Sequence, residues 1–139
     1  MKKAVFIILL LLTFSCSDSN DDPNNILPNI PVNETIFLDL PQYIDLNHPG
    51  NYAYSGGGIS GIIIYRTLGS GYLAFERAAP HLRPQDCSQM KVNMPFMVCG
   101  CDDSKFSILD GSPQTDGVNY PARQYRVTVN GNTLQINNY

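Results

Sequence analysis

From Val32 to the C-terminus, no stretch of this sequence carries the sustained 3.6-residue apolar repeat of a packed helix; its apolar residues come in short runs, each closed by turn residues. Such a chain buries itself by pairing strands. Residues 36–40 (Ile-Phe-Leu-Asp-Leu) form a first candidate strand, closed by Pro41, and residues 47–58 read as a loop rich in Gly, Asn and Pro. Residues 62–66 and 72–77 flank Thr67-Leu68-Gly69-Ser70-Gly71 and predict a hairpin with a glycine-relieved loop. Residues 124–129 and 133–136 flank Asn130-Gly131-Asn132 and predict a second hairpin, in which Asn-Gly would take the two positive-φ positions of a type I′ turn. With 139 residues, 10 Pro and 11 Gly, there is material for one loop-rich domain.

The N-terminus is of a different kind. Lys2 and Lys3 precede an apolar run over residues 4–12 that is too short to cross a bilayer, which takes about 20 residues. Residues 1–15 therefore read as a cleaved signal peptide. The ending Thr13-Phe14-Ser15-Cys16 resembles a lipobox, with Ser15 as the small residue before the acylated cysteine; Thr13 departs from the usual branched aliphatic and is similar to looser versions in Bacteroidetes-type lipoproteins. The resemblance implies membrane lipid as a partner, attached through Cys16. Residues 16–31, with the run Ser17-Asp18-Ser19-Asn20-Asp21-Asp22 and then Pro23, Pro28 and Pro31, have too little apolar content to offset chain entropy and predict a flexible acidic tether. The folded domain is expected over residues 32–139. An acidic stretch after a lipidated cysteine resembles the signal for export to the outer surface, so an outer-membrane lipoprotein of the cell envelope is expected, either surface-exposed or periplasm-facing.

Several function classes drop out. A net charge of -3 and a pI near 5.1, with scattered Lys and Arg, provide no surface for a phosphate backbone, so no nucleic acid is expected. Gly56-Gly57-Gly58 leads into a strand instead of a helix, so no nucleotide is expected. His48 sits in the turn His48-Pro49-Gly50, no nucleophile elbow is present, and the chain reads as no stand-alone enzyme.

Between the hairpins lies Ala74-Phe75-Glu76-Arg77-Ala78-Ala79-Pro80-His81, then Cys99-Gly100-Cys101-Asp102-Asp103-Ser104-Lys105-Phe106, Asp110-Gly111, Gly117, Pro121-Ala122 and Tyr125-Arg126-Val127. In order and spacing this resembles the Rieske [2Fe–2S] family over residues 33–138. The resemblance implies an all-β fold, an antiparallel β-sandwich with a small cluster-binding-type subdomain near residues 78–110, and two facing loops at its tip. Family members hold one iron by two cysteines and the other by two histidines. Here the ligand positions read Ala79 and His81 in the first loop, Cys99 and Asp102 in the second: a degenerate set with two of four ligands missing.

After acylation of Cys16, the thiols of Cys87, Cys99 and Cys101 remain, an odd number. Many respiratory members carry a disulfide between the two loops, and Cys101 stands where one half of it falls; the resemblance implies Cys87 as its partner, with a Cys87–Cys99 bridge as the less favoured alternative. The expectation is a cluster-less domain without a cofactor, with His81 as a leftover loop residue and Cys99 as a small buried hydrophobe, acting as a binding module for an envelope protein. The competing expectation is an electron carrier or metal protein in which His81, Cys87, Cys99 and Cys101 hold a [2Fe–2S] cluster or zinc.

Overall fold

The computed structural model describes residues 26–86 and 89–138. At its centre are β3 (Ile62–Arg66) and β4 (Tyr72–Glu76), the predicted hairpin, in register from Ile62↔Glu76 to Arg66↔Tyr72. Ile62, Ile63, Ile64 and Tyr65 are all buried, which a strand with one wet face does not do. The reason is that the sheet lies between two cores. Side chains alternate across a strand, so Ile62, Ile64 and Ala74 enter one core while Ile63, Tyr65 and Phe75 enter the other.

The first core is closed by β1 (Asn33–Phe37), β8 (Gln124–Asn130) and β9 (Thr133–Asn137), which supply Ile36, Tyr125, Leu134 and Ile136, while β2 (Tyr52–Ser55) supplies Ala53. All six strands form one antiparallel sheet in the order β1-β9-β8-β4-β3-β2. Only Ala74↔Tyr125 and Phe75↔Gln124 join β4 to β8, so the two halves can curl toward each other around the core. The second core is covered by a small antiparallel sheet of β5 (Lys91–Asn93), β6 (Phe96–Val98) and β7 (Lys105–Ser107). Met97 and Phe106 from these strands, with Met90 and Ile108 beside them, are fully buried against Phe75 and its neighbours.

The structure corrects the expected pattern in four places. The first strand ends at Phe37, because the amide of Leu40 turns back to the carbonyl of Phe37 and Pro41 starts a 3-10 helix, Pro41–Asn47. β2 occupies part of the predicted loop 47–58. In the last hairpin Asn130 pairs with Thr133, so the turn residues are Gly131 and Asn132 and the positive φ of 57° falls on Gly131; this is the glycine-first turn, not the Asn-Gly one. Finally, residues 26–31, read as the end of the tether, lie against the domain. Leu27 is buried, the Arg123 guanidinium donates to the carbonyls of Leu27 and Pro28, and the Asn138 side chain donates to the carbonyl of Ile30 and accepts from the amide of Val32.

Candidate functional site

Where β4 ends, the chain enters the loop that carries Ala79, Pro80 and His81; where β6 ends, it enters the loop from Cys99 to Ser104. The two loops meet. His81 Nε2 and Asp102 Oδ2 lie 2.7 Å apart, and the His81 ring packs beside Phe106 at 5.8 Å between centroids. The second loop is shaped by its own backbone: the amide of Cys99 donates to the carbonyl of Ser104, that of Asp103 to the carbonyl of Cys99, and that of Ser104 to Asp102 Oδ1. Asp103 adopts φ 59°, a left-handed turn position that aspartate tolerates better than most residues. His81 is thus no leftover; it ties one loop to the other.

Electrostatics follow from this placement. Burial opposes the charge of Asp102, but hydrogen bonds from His81, from the amide and hydroxyl of Ser104 and from the Cys99 thiol outweigh it, bringing the carboxyl from 3.8 down to about 2. Cys99 is fully buried, and burial pushes its thiol up more than the amides of Cys101 and Asp102 pull it down. Ala79 is equally enclosed, sharing the second core with Cys99 and Phe106. The other ring nitrogen, His81 Nδ1, is buried and has no hydrogen-bond partner. Cys101 is disulfide-bonded. Cys16 and Cys87 lie outside the described residues.

A four-ligand cluster does not fit this donor set. Ala79 offers iron a methyl group, and Asp102 offers a carboxylate already engaged by His81, Ser104 and Cys99. His81 Nδ1 and the Cys99 thiol remain as donors, and among the described residues no three His, Cys, Asp or Glu side chains stand together as a metal site.

Sequence reasoning missed the group that sets the first loop. Glu76, the last residue of β4, is fully buried, and it belongs to neither of the two ion pairs found among the described residues. Instead its carboxylate accepts from the amides of Ile59 at 2.7 Å, Ser60 at 2.9 Å and Ala78 at 2.9 Å, and from the Tyr125 hydroxyl at 2.6 Å. One carboxylate thereby joins the loop before β3, the β8 strand and the start of the His81 loop. The glycines before Ile59 make room for it: Gly58 has φ +61°, and a Cβ there would stand 2.4 Å from Glu76 Oε2. The available signal was a glutamate ending the apolar strand Leu73-Ala74-Phe75, in a chain with three consecutive glycines.

The antiparallel all-β arrangement, a curled sheet bearing a small three-stranded sheet, defines a Rieske-like β-sandwich. No family model matches the sequence, and no curated protein matches it. Among solved structures, the chain is similar to one in the complex of reduced oxygenase and oxidized ferredoxin in carbazole 1,9a-dioxygenase, with 16% identity and a TM-score of 0.50 over 83% of this chain and 95% of that one. It is also similar to the ferredoxin of carbazole 1,9a-dioxygenase from Nocardioides aromaticivorans IC177, with 17% identity and a TM-score of 0.49 over 78% of this chain and 97% of that one.

Proposed function

We propose that this chain is an envelope lipoprotein, anchored through Cys16, whose Rieske-like domain works without an iron–sulfur cluster as a non-catalytic module that binds a protein partner. The observation that carries this reading is Ala79: a buried methyl group at a ligand position, with no electron pair to offer a metal. The His81–Asp102 pair then does what a bridging metal would otherwise do, holding the two loops together. A disulfide between Cys87 and Cys101 belongs to the same reading; closing a loop of about fifteen residues contributes roughly 3 kcal/mol. The test is a visible absorption spectrum with iron, zinc and sulfide analysis on the full chain purified without chelator. A colourless, metal-free protein is expected.

A specific set of observations favours a second reading, in which the chain carries electrons or a metal. Its fold is similar to that of a chain from an oxygenase–ferredoxin complex, Cys99 and His81 persist at ligand positions, and His81 Nδ1 is buried without a partner. A [2Fe–2S] cluster or zinc would then draw on His81 and Cys99, and on Cys87 and Cys101 only with the disulfide at Cys101 reduced. Stoichiometric iron and sulfide, or stoichiometric zinc, in the same preparation would decide for this reading.

A further inference from the structure

The β5–β6–β7 sheet has two unlike faces. Val92, Met97 and Phe106 turn into the second core, so by strand alternation Lys91, Val98 and Lys105 share one row of the opposite face, and Asn93, Phe96 and Ser107 share the next. Lys91 and Lys105 are exposed; Val98 and Phe96 are half-buried between and beside them. These are the only lysines among the described residues, and neither takes part in the two ion pairs found there. The Lys105 ammonium hangs 5.9 Å from the centroid of the Phe96 ring. Most arginines, by contrast, are already committed: Arg66 to the carbonyls of Ser70 and Gly71, Arg77 to that of Met90, Arg83 to Asp86, and Arg123 to Leu27 and Pro28.

We propose that this face docks an acidic segment of the protein partner, with Lys91 and Lys105 pairing to its carboxylates and Val98 and Phe96 taking an apolar side chain between them. The geometry sets the chemistry of the occupant. Both lysines pair with Val98 from opposite sides, so their backbones are two strand spacings, about 10 Å, apart. An extended segment rises about 3.3 Å per residue and presents every second side chain to one face, so carboxylates four residues apart, about 13 Å, face the sheet together with an apolar residue midway between them, a span that two long lysine side chains meet. An apolar centre with flanking charges is the anatomy of a small protein interface, where the charges govern approach and orientation. The inference rests on the partner-binding reading above and names the face and the partner's charge.

The experiment is an amide-shift titration of the full chain with a short capped peptide in which glutamate, phenylalanine and glutamate stand at every second position with serines between, alongside its lysine-for-glutamate counterpart. Shifts are expected along Lys91, Phe96, Val98 and Lys105, with affinity that weakens severalfold between about 50 and 300 mM salt. The double substitution Lys91→Glu with Lys105→Glu, on exposed positions that leave the fold intact by circular dichroism, should lower the affinity at least about tenfold. Shifts confined to residues 79–82 and 99–102, equal binding of the lysine peptide, no binding, or a double variant that binds like the wild type would each overturn the assignment. Iron and sulfide content of the same sample reports separately on the cluster-less reading.

Discussion

Replacing Tyr125 by Phe and Glu76 by Gln should expose how strongly a single buried carboxylate organises this fold. Tyr125→Phe removes one 2.6 Å hydrogen bond to a buried charged group and leaves the three backbone amides in place. Bonds to charged groups contribute about 1.5–3 kcal/mol, so a loss near 2 kcal/mol is expected. Glu76→Gln costs more. Each carboxylate oxygen faces at least one backbone amide, Ser60 and Ala78 on Oε1 and Ile59 on Oε2, so wherever the new NH2 group sits it confronts a donor. Leaving a buried amide unsatisfied costs about 1–3 kcal/mol beyond the lost charge-assisted bonds, which places the variant near 3–4 kcal/mol. Domains of this kind are stable by about 5–15 kcal/mol, so both variants should fold and be measurable. The chain has no tryptophan, so urea unfolding is best followed by far-ultraviolet circular dichroism, with an unchanged denaturant slope as the check on two-state behaviour. In Glu76→Gln, the Ala78 amide should also exchange with solvent faster than its neighbours. If both substitutions stay within about 0.5 kcal/mol of the wild type, as surface changes do, the carboxylate does not hold the three segments together.

Asp102 should make stability fall in acid: its folded-state value near 2 lies below the ordinary 3.8, so its contribution is complete above the ordinary carboxylate range and disappears as pH drops through about 2. Taken whole, the shift is worth roughly 2 kcal/mol, but the side chain is 37% exposed and screening reduces this to about 1 kcal/mol. Acid unfolding of Asp102→Asn beside the wild type checks it; curves that keep a constant separation from neutral pH down to pH 2 would contradict the assignment. Gly58→Ala should cost about 2–4 kcal/mol, since its Cβ would meet a carboxylate pinned by four hydrogen bonds, while Gly117→Ala, at φ +84° with nothing within 4 Å, should cost only the left-handed backbone penalty of about 1 kcal/mol. Comparable midpoints in thermal unfolding would remove the steric argument. Cys99, buried and with its thiol pushed up, should resist iodoacetamide in the native protein and react promptly in urea, which mass spectrometry reads directly.

The parts of the fold legible in the sequence are those written in local chemistry. The β3–β4 and β8–β9 hairpins announce themselves by apolar strands around glycine-bearing turns. β2 did not, because Tyr52-Ala53-Tyr54-Ser55 is four residues long between turn formers, and β5, β6 and β7 are three residues each. At that length the pairing partner, not the segment, decides the conformation. The two facing loops were legible through family resemblance alone. That His81 and Asp102 bond directly was not, since 21 positions separate them and only the fold brings them together. Glu76 was invisible for a related reason: a charged residue at a strand end normally faces water, and nothing local reveals that a distant glycine loop supplies amides to receive it.

The grip of Arg123 on Leu27 and Pro28 changes how far an anchored domain could roam. If Cys16 carries the proposed lipid, the leash is paid out only to Leu27, and its fully stretched length is about 38 Å, where a leash running to Val32 would reach about 55 Å. The volume swept from one attachment point scales as the cube of that radius, so it shrinks to about a third. A partner held in the same membrane would meet the domain at a correspondingly higher effective concentration. Weak contacts of a few residues would then suffice for capture at the bilayer, though the same contacts would go unnoticed between two proteins free in solution.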